Sequence, residues 1–266
     1  MLGGVHDHHA FTRVIPFNDL DALDAALADG QVAALLAEPA LTNFGLVPPA
    51  PGFWEAAQAL CRRHGTLLVL DETHTLSSGV GGYARTHALS PDMWIAGKAV
   101  AGGVPCAVYG FTAEVAARMR NAKDAAPEGH SGIGTTLTAN ALALAALEAA
   151  LEHLHTPASY AAMARAADAL EAGLNARLHH RQLPWTVTRL GARMELQFMP
   201  RTPRNADDVR QHAQAALEAS LHLFLLNRGV LLTPFHGMML CSPATGDDHV
   251  ARLLAAFDEW LDALGR

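Results

Sequence analysis

Two side chains with useful chemistry follow apolar runs in the first half of the chain. Asp71 ends the apolar run that begins at Thr66. Lys98 directly follows a second run, at residues 93–97. Continuous apolar runs of this length are typical of strands buried on both faces of a parallel sheet. Because open α/β sheets bind ligands beyond the carboxyl ends of their strands, the sequence predicts a carboxylate and an amine at neighbouring strand ends.

This pair is suited to the chemistry of carbonyl compounds. A lysine amine forms Schiff bases, and partial removal from water makes it a better nucleophile. Pyridoxal phosphate is the commonest carbonyl partner, and it requires such a lysine together with an acidic group at its pyridine nitrogen. The pattern alone leaves two alternatives open. Lys98 could be an ordinary lysine in a turn, and Asp71 with Glu72 could form an acidic turn or helix start.

Composition and charge exclude several classes of protein. The chain has 266 residues, half of them hydrophobic, and no apolar run long enough to span a bilayer. The net charge of -7 and the scattered Arg and Lys residues argue against a nucleic-acid partner. Cys61, Cys106 and Cys241 form no C-x-x-C pair, so neither a disulfide nor a metal cluster is expected. With no secretory leader visible, we expect a cytoplasmic protein without a membrane partner.

The elements around Asp71 predict a βαβ unit. A buried strand at 31–37 leads into a loop that contains Glu38 and Asn43. An amphipathic helix at 53–64 then precedes the Asp71 strand, and a right-handed crossover is expected.

The segment after Lys98 continues this predicted domain. A strand is expected at 106–111 and a helix at 112–120, followed by a polar loop at 121–136. The Ala- and Leu-rich helix at 137–153 is predicted to be almost completely buried, at a subunit interface.

From Thr156 onward the pattern changes to one typical of a smaller α+β domain. We therefore divide the chain into a large α/β domain at 1–155, with a mostly parallel sheet, and a small domain at 156–266. The small domain is predicted to contain helix 158–178, strands 185–190 and 193–198, helix 206–228, strands 230–233 and 238–242, and helix 246–264.

Three segments, in this order, resemble the core of class III (ornithine-type) aminotransferases, in the branch of glutamate-1-semialdehyde aminomutase. They are VAALLAEPALTNFGLVPPAPGFWEAAQALCRRHGTLLVLDE, SPDMWIAGKAVAGGVPCAVYG and GTTLTANALALAALEA. The resemblance extends from about Phe17 to the C-terminus. It implies a fold-type I pyridoxal phosphate enzyme that acts on amino acids and on keto acids or aldehydes. It also implies a homodimer with shared active sites.

The resemblance also implies roles for individual residues. Lys98 would be the Schiff-base lysine, and Asp71 the partner of the pyridine nitrogen. Thr73 takes the place of a family valine that packs on the cofactor ring. Thr136 would reach the phosphate of the neighbouring subunit's cofactor, and Asn43 would lie close to cofactor and substrate.

Five further positions are candidates with ordinary alternatives. His74 could act near the cofactor or be a hydrogen-bonded loop histidine. Arg201 and Arg204 could clamp a substrate carboxylate, or simply be exposed in a polar turn. Glu38 could organise its loop, and segment 233–238 could shape the substrate entrance.

The chain departs from the family pattern in one respect. Family members carry an N-terminal portion with a phosphate-binding turn and an aromatic residue stacked on the cofactor, and no segment here matches it. We therefore expect a partial large domain, weakened cofactor affinity and doubtful turnover. The alternatives are a non-catalytic relic, or a split-enzyme subunit that acts as a dimerising α/β module. A Schiff-base aldolase on another fold would explain Lys98 but not Asp71.

Overall fold

The computed structural model describes residues 11–129, 137–234 and 236–265. Within them the strands form two sheets, one of four strands and one of three. Buried apolar side chains gather separately around each sheet. In these described ranges no helix is both long enough and apolar enough to cross a bilayer.

The first sheet has the strand order β1-β2-β3-β4, with β1, β2 and β3 parallel and β4 antiparallel to β3. This confirms the predicted mostly parallel sheet. Its elements are α1 (Leu20–Leu27), β1 (Ala34–Ala37), α2 (Phe53–His64), β2 (Leu67–Asp71), a 3-10 turn (Leu76–Ser78), α3 (Gly82–Thr86), β3 (Met93–Ala96), a second 3-10 turn (Lys98–Ala101), β4 (Val108–Phe111), α4 (Ala113–Asp124) and α5 (Ala141–His153).

Local capping chemistry explains where several of these helices begin and end. The Asp19 side chain accepts a hydrogen bond from Ala22 N at 2.8 Å and starts α1. Thr112 does the same for α4, which runs beyond the predicted end to Asp124. Gly65 adopts a left-handed conformation, with φ of 68°, and ends α2 at the predicted residue.

Two apolar segments are exposed within the described residues: the burial expected for β1 is wrong, whereas the burial expected for α5 at a subunit interface stays a prediction. β1 lies at the edge of its sheet, so Leu36 is 65% exposed. On α5 only Ala143 and Ala150 are buried, whereas Leu142 is 71% exposed and Leu151 is 55% exposed. The apolar composition of both segments was correctly read as strand and helix, but no described element covers their outer faces.

The second sheet is antiparallel, with the strand order β5-β6-β7. Its core includes the fully buried Phe257, Trp260 and Leu261 of the last helix. Its elements are α6 (Pro157–His180), β5 (Thr186–Leu190), β6 (Arg193–Gln197), α7 (Ala206–His212), α8 (Ala215–Leu226), β7 (Gly237–Leu240) and α9 (Asp247–Ala263).

The structure corrects two predicted elements of this part. The helix expected at 206–228 is interrupted, because Ala213 adopts an extended backbone with ψ of 131° and ends α7. The strand expected at 230–233 is absent from the described sheet. There the carbonyl of Leu232 forms a hydrogen bond with His222 Nδ1 at 2.7 Å, and the Thr233 hydroxyl donates to the carbonyl of His236.

Candidate active site

Asp71 and Lys98 follow neighbouring parallel strands. Asp71 is paired with Ile95 in the ladder between β2 and β3. The next backbone amide, of Glu72, donates to the Ile95 carbonyl at 2.8 Å. β3 ends at Ala96, so Lys98 lies just beyond the same edge of the sheet. The placement expected from the sequence is therefore present in the structure.

The turn after Asp71 is fixed by its own carboxylate. Asp71 Oδ1 accepts a hydrogen bond from Thr73 N at 2.9 Å. The Thr73 side chain lies against Gly97, where an added Cβ would be 3.4 Å from Thr73 Oγ1. The Thr73 side chain therefore lies beside the residue that precedes Lys98.

Lys98 starts a 3-10 turn with a backbone φ of 50°. A positive φ is uncommon for a residue other than glycine, and it persists where the surroundings hold the backbone in place. The side chain is exposed, because Lys98 lies in the turn beyond β3. In the described residues the Lys98 amine is therefore not removed from water. Among these residues, Lys98 also forms no ion pair with Asp71.

Glu72 anchors the turn from beneath, a role that the sequence reasoning missed. Its completely buried carboxylate accepts hydrogen bonds from the backbone amides of Tyr83 and Ala84, the latter at 2.8 Å, and from Trp94 Nε1 at 3.0 Å. Burial raises the pKa of the Glu72 carboxyl, and these hydrogen bonds oppose the increase. A Cβ on Gly82, whose φ is 76°, would overlap this carboxylate. The alternative of an acidic group at a helix start therefore applies to Glu72, because its carboxylate binds backbone amides in the first turn of α3.

The Lys98 turn is also tied to the loop after Asp71. Nε2 of His155 lies 3.2 Å from the carbonyl oxygen of Val100, inside this turn. Nδ1 of the same ring lies 3.2 Å from the Tyr160 hydroxyl, which donates to the Leu76 carbonyl at 3.0 Å. No motif in the sequence indicates this link, because it joins remote segments. Tyr160 and Leu76 are more than eighty residues apart in the chain.

His74 lies in a hydrogen-bonded loop, as its ordinary alternative predicts. Its Nδ1 is 2.6 Å from the hydroxyl of Thr42, which also donates to the Glu38 carboxylate. Glu38 therefore joins the loop after β1 to the loop after β2. Asn43, in the same segment, is exposed and lines a cavity of about 430 Å³. Among the described residues, that cavity is lined by neither Lys98 nor Asp71.

Other sequence candidates fall elsewhere. Thr136 lies outside the described residues, so its predicted phosphate contact stays a prediction.

Arg201 binds Asp208 through two hydrogen bonds of 2.7 and 2.8 Å, and the backbone amide of Arg204 donates to the same carboxylate. The Arg201 guanidinium lowers the pKa of Asp208. Both arginines are thus engaged within the fold, which contradicts a free carboxylate clamp. From segment 233–238, His236 and Gly237 line the same cavity as Asn43.

The side chains at the sheet edge fit pyridoxal phosphate in their chemistry. An amine is present for the cofactor's aldehyde, and a carboxylate for its basic ring nitrogen. In the described structure these two groups do not neutralise each other, so both remain available to a ligand. Lys98, Asp71 and Thr73 are the described residues that could hold it at this edge.

Comparisons with known proteins agree with the resemblance and with the fold-type I prediction. Residues 9–261 match the family described as Aminotransferase class-III. Glutamate-1-semialdehyde 2,1-aminomutase of Myxococcus xanthus is 34% identical over 260 residues, which are 96% of this chain and 58% of that protein. A crystal structure of a glutamate-1-semialdehyde-aminomutase from Pseudomonas aeruginosa PAO1 in complex with PMP matches with a TM-score of 0.93 and 46% identity, over 98% of this chain and 60% of that one.

A more distant structure extends the same likeness. The β-phenylalanine aminotransferase from Variovorax paradoxus matches with a TM-score of 0.85 and 29% identity, over 95% of this chain and 58% of that one. The chain thus spans roughly three-fifths of the length of these relatives. Because the family model matches nearly the whole length of the chain, the chain belongs to the class III aminotransferase family.

Proposed function

We propose that the chain serves pyridoxal phosphate-dependent transfer of an amino group between an amino acid and a keto acid or aldehyde, as a transaminase or an aminomutase. The observation that carries this proposal is the placement of Asp71 and Lys98 at neighbouring strand ends without an ion pair between them. The relatives named above, which are aminomutases and an aminotransferase, support the same class of reaction.

Each residue then has a defined task. When bound, pyridoxal phosphate supplies a protonated ring that accepts the electrons left by removal of a substrate Cα proton. Lys98 Nζ would hold the cofactor at its aldehyde carbon with release of water and, once displaced by the substrate amine, would take the Cα proton and return it. The Asp71 carboxylate would keep the proton on the ring nitrogen. Thr73 would contact the ring, and Asn43 would lie near cofactor and substrate.

We also propose a homodimer in the cytoplasm. Exposed apolar side chains on α5, including Leu142 and Leu151, support a subunit interface there, because such surface is costly to leave in water. Thr136 of each subunit would then contact the phosphate of the neighbouring site. The placement in the cytoplasm rests on cysteines that form no disulfide in the described structure.

The activity of this chain by itself is a separate part of the proposal. The chain spans 58% of its Myxococcus relative, and the family's phosphate-binding turn and stacking aromatic are not matched in it. We therefore propose weak cofactor affinity and low turnover. The alternative is a non-catalytic relic or a split-enzyme subunit that acts as a dimerising module. Activity gained on mixing with a separately produced N-terminal segment of a relative would favour the split enzyme.

Covalent attachment of the cofactor tests the central claim without requiring turnover. The sequence contains two lysines, Lys98 and Lys123, so the attachment point is easily assigned. The full chain is incubated with pyridoxal phosphate, reduced with borohydride and digested for mass spectrometry. We expect the pyridoxyl mass on the Lys98 peptide at low cofactor concentration, and its loss in Lys98→Ala.

Lys123→Ala is the matched control, since Lys123 lies in the last turn of α4, and this variant should label like the wild type. Equal labelling of both lysines, which is what random surface modification produces, would contradict the proposal.

A further inference from the structure

One face of the first sheet carries apolar side chains that belong to none of the described cores. The strand registers place alternate residues of all four strands on this face, which we call the bare face. Its apolar members include Leu36, Val69, Met93, Ile95, Tyr109 and Phe111. At the edges of the sheet they are exposed to water, by 65% for Leu36 and 50% for Tyr109.

The opposite face is covered by helices of the same chain. Leu70 of β2 points to that face and lies in one core with Trp54 of α2 and Tyr83 of α3. Ala96 of β3 points the same way and lies in another core with Leu147 of α5. The helices that pack on this sheet in the two cores therefore lie on the side away from the bare face.

The order of the strands explains why the two faces differ. The parallel strands β1, β2 and β3 follow one another in a single direction across the sheet. Right-handed crossovers between such strands all fall on the same face, which here is the face that α2 covers. Parallel sheets are nevertheless almost always covered on both faces. Cover for the bare face must therefore come from a segment other than the connections between these strands.

The dimensions and chemistry of the bare face define what could cover it. Four strands at a spacing of about 4.8 Å give a face about 15 Å wide. An α-helix is about 10 Å wide, so two helices fit side by side. The charged residue Asp71 lies at the end of the face, and the apolar members occupy the rest. The helices must then present apolar stripes to the sheet and polar faces to water.

We propose that the bare face is the docking surface of a second polypeptide, which lays two amphipathic α-helices across β1–β4. About two-fifths of the Pseudomonas aeruginosa relative lies outside the match, which is ample sequence for two such helices. The proposal names the surface on which a split enzyme would assemble, and it holds whether or not Lys98 binds the cofactor. The exposed leucines of α5 lie on the other side of the sheet, so docking leaves the proposed homodimer contact free.

Co-expression tests the proposal without any measurement of activity. The tagged full chain is produced together with the unmatched part of the Pseudomonas aeruginosa relative and purified without added pyridoxal phosphate. We expect the two chains to co-purify in equal amounts. Leu36→Lys and Tyr109→Lys should each reduce the amount of bound segment about tenfold, because docking would bury an unpaired charge. In the complex, amide exchange should slow in β1–β4 and stay unchanged in β5–β7.

Leu231→Lys is the matched control, because Leu231 is 80% exposed in the loop between α8 and β7. It should bind the segment like the wild type, and so should Lys98→Ala, which separates docking from the proposed chemistry. The proposal is overturned if the folded wild type binds no segment, or if both bare-face variants are folded and bind it fully. It is also overturned if the wild type alone forms an oligomer that Leu36→Lys dissociates, since a second copy would then cover the face.

Discussion

At the scale of single residues, the adjacent carboxylates of Asp71 and Glu72 have opposite environments. Successive side chains at a strand end point to opposite sides, so one faces the open edge and the other the interior. Glu72 is completely buried and accepts two backbone amides and an indole N–H. Asp71 is half-buried and accepts the amide of Thr73. Glu72 therefore stabilises the fold, whereas Asp71 is available to a ligand.

This difference predicts opposite results from two neighbouring substitutions. Glu72→Ala leaves the amides of Tyr83 and Ala84 and the Trp94 indole without a buried partner. We expect the free energy of unfolding to fall by about 3 kcal/mol, measured by urea denaturation. Asp71→Asn should change it by less than about 0.5 kcal/mol, yet weaken pyridoxal phosphate attachment to Lys98. An equal loss of stability in both variants would contradict this division.

The sequence correctly placed Asp71 and Lys98 at neighbouring strand ends, but it could not identify the residues that hold these turns in place. Asp71 and Lys98 were recognisable because each directly follows an apolar run, which is a local pattern. The ties made by His155 and Tyr160 join remote segments through carbonyl oxygens, and carbonyl groups carry no sequence signal. The exposure of Lys98 could not be read from the sequence either, since it depends on where β3 ends.

At the scale of elements, prediction was best where capping chemistry defines both ends. Helix α2 was placed at its exact residues because Gly65 ends it in a left-handed conformation. Prediction failed where a side chain from another element forms a hydrogen bond with a backbone carbonyl that a strand would need for its ladder. His222 Nδ1 contacts the Leu232 carbonyl, so a β-rich run at 230–233 forms a loop instead of a strand. Tertiary contacts of this kind override local propensity.

The link through His155 is an element-scale feature that hydrogen exchange can test. His155→Leu removes the ring contacts to the carbonyls of the 3-10 turn Lys98–Ala101, together with its contact to Tyr160. We expect amide exchange in this turn to accelerate about tenfold, as the loss of about one hydrogen bond's worth of stability implies.

Exchange in α2 is the internal control, because that helix does not contact His155 through any described hydrogen bond. Tyr160→Phe is the matched variant. It keeps the ring but loses the hydroxyl contacts to His155 and Leu76, so a smaller acceleration is expected. Unchanged exchange of the Lys98 turn in His155→Leu would show that other contacts hold its positive φ.

At the scale of the whole molecule, two cores meet along a polar layer, and a large apolar surface stays open. Gln197 and Glu195 on β6 form part of that layer, against the loop after β1. The open surface is on α5, where the sequence predicted burial. A helix that packs on a second subunit has the same apolar composition as a helix buried in its own core. The sequence predicts that this helix is buried at a subunit interface, and the exposed leucines of α5 in the described chain are consistent with a second subunit there.

The proposed homodimer makes this open surface the site of the last prediction. Leu142→Glu and Leu151→Glu place a charge on α5 at side chains that are 71% and 55% exposed. If a second copy covers this helix, each new charge must be desolvated in the interface, which costs several kcal/mol. We expect both variants to elute at the mass of one chain in size-exclusion chromatography with light scattering, whereas the wild type elutes at twice that mass.

Leu223→Glu is the control, because Leu223 is 57% exposed on α8 and its substitution should leave the mass unchanged. A wild type of single-chain mass would contradict the dimer, and a loss of dimer in Leu223→Glu alone would place the interface on the second sheet's helices instead.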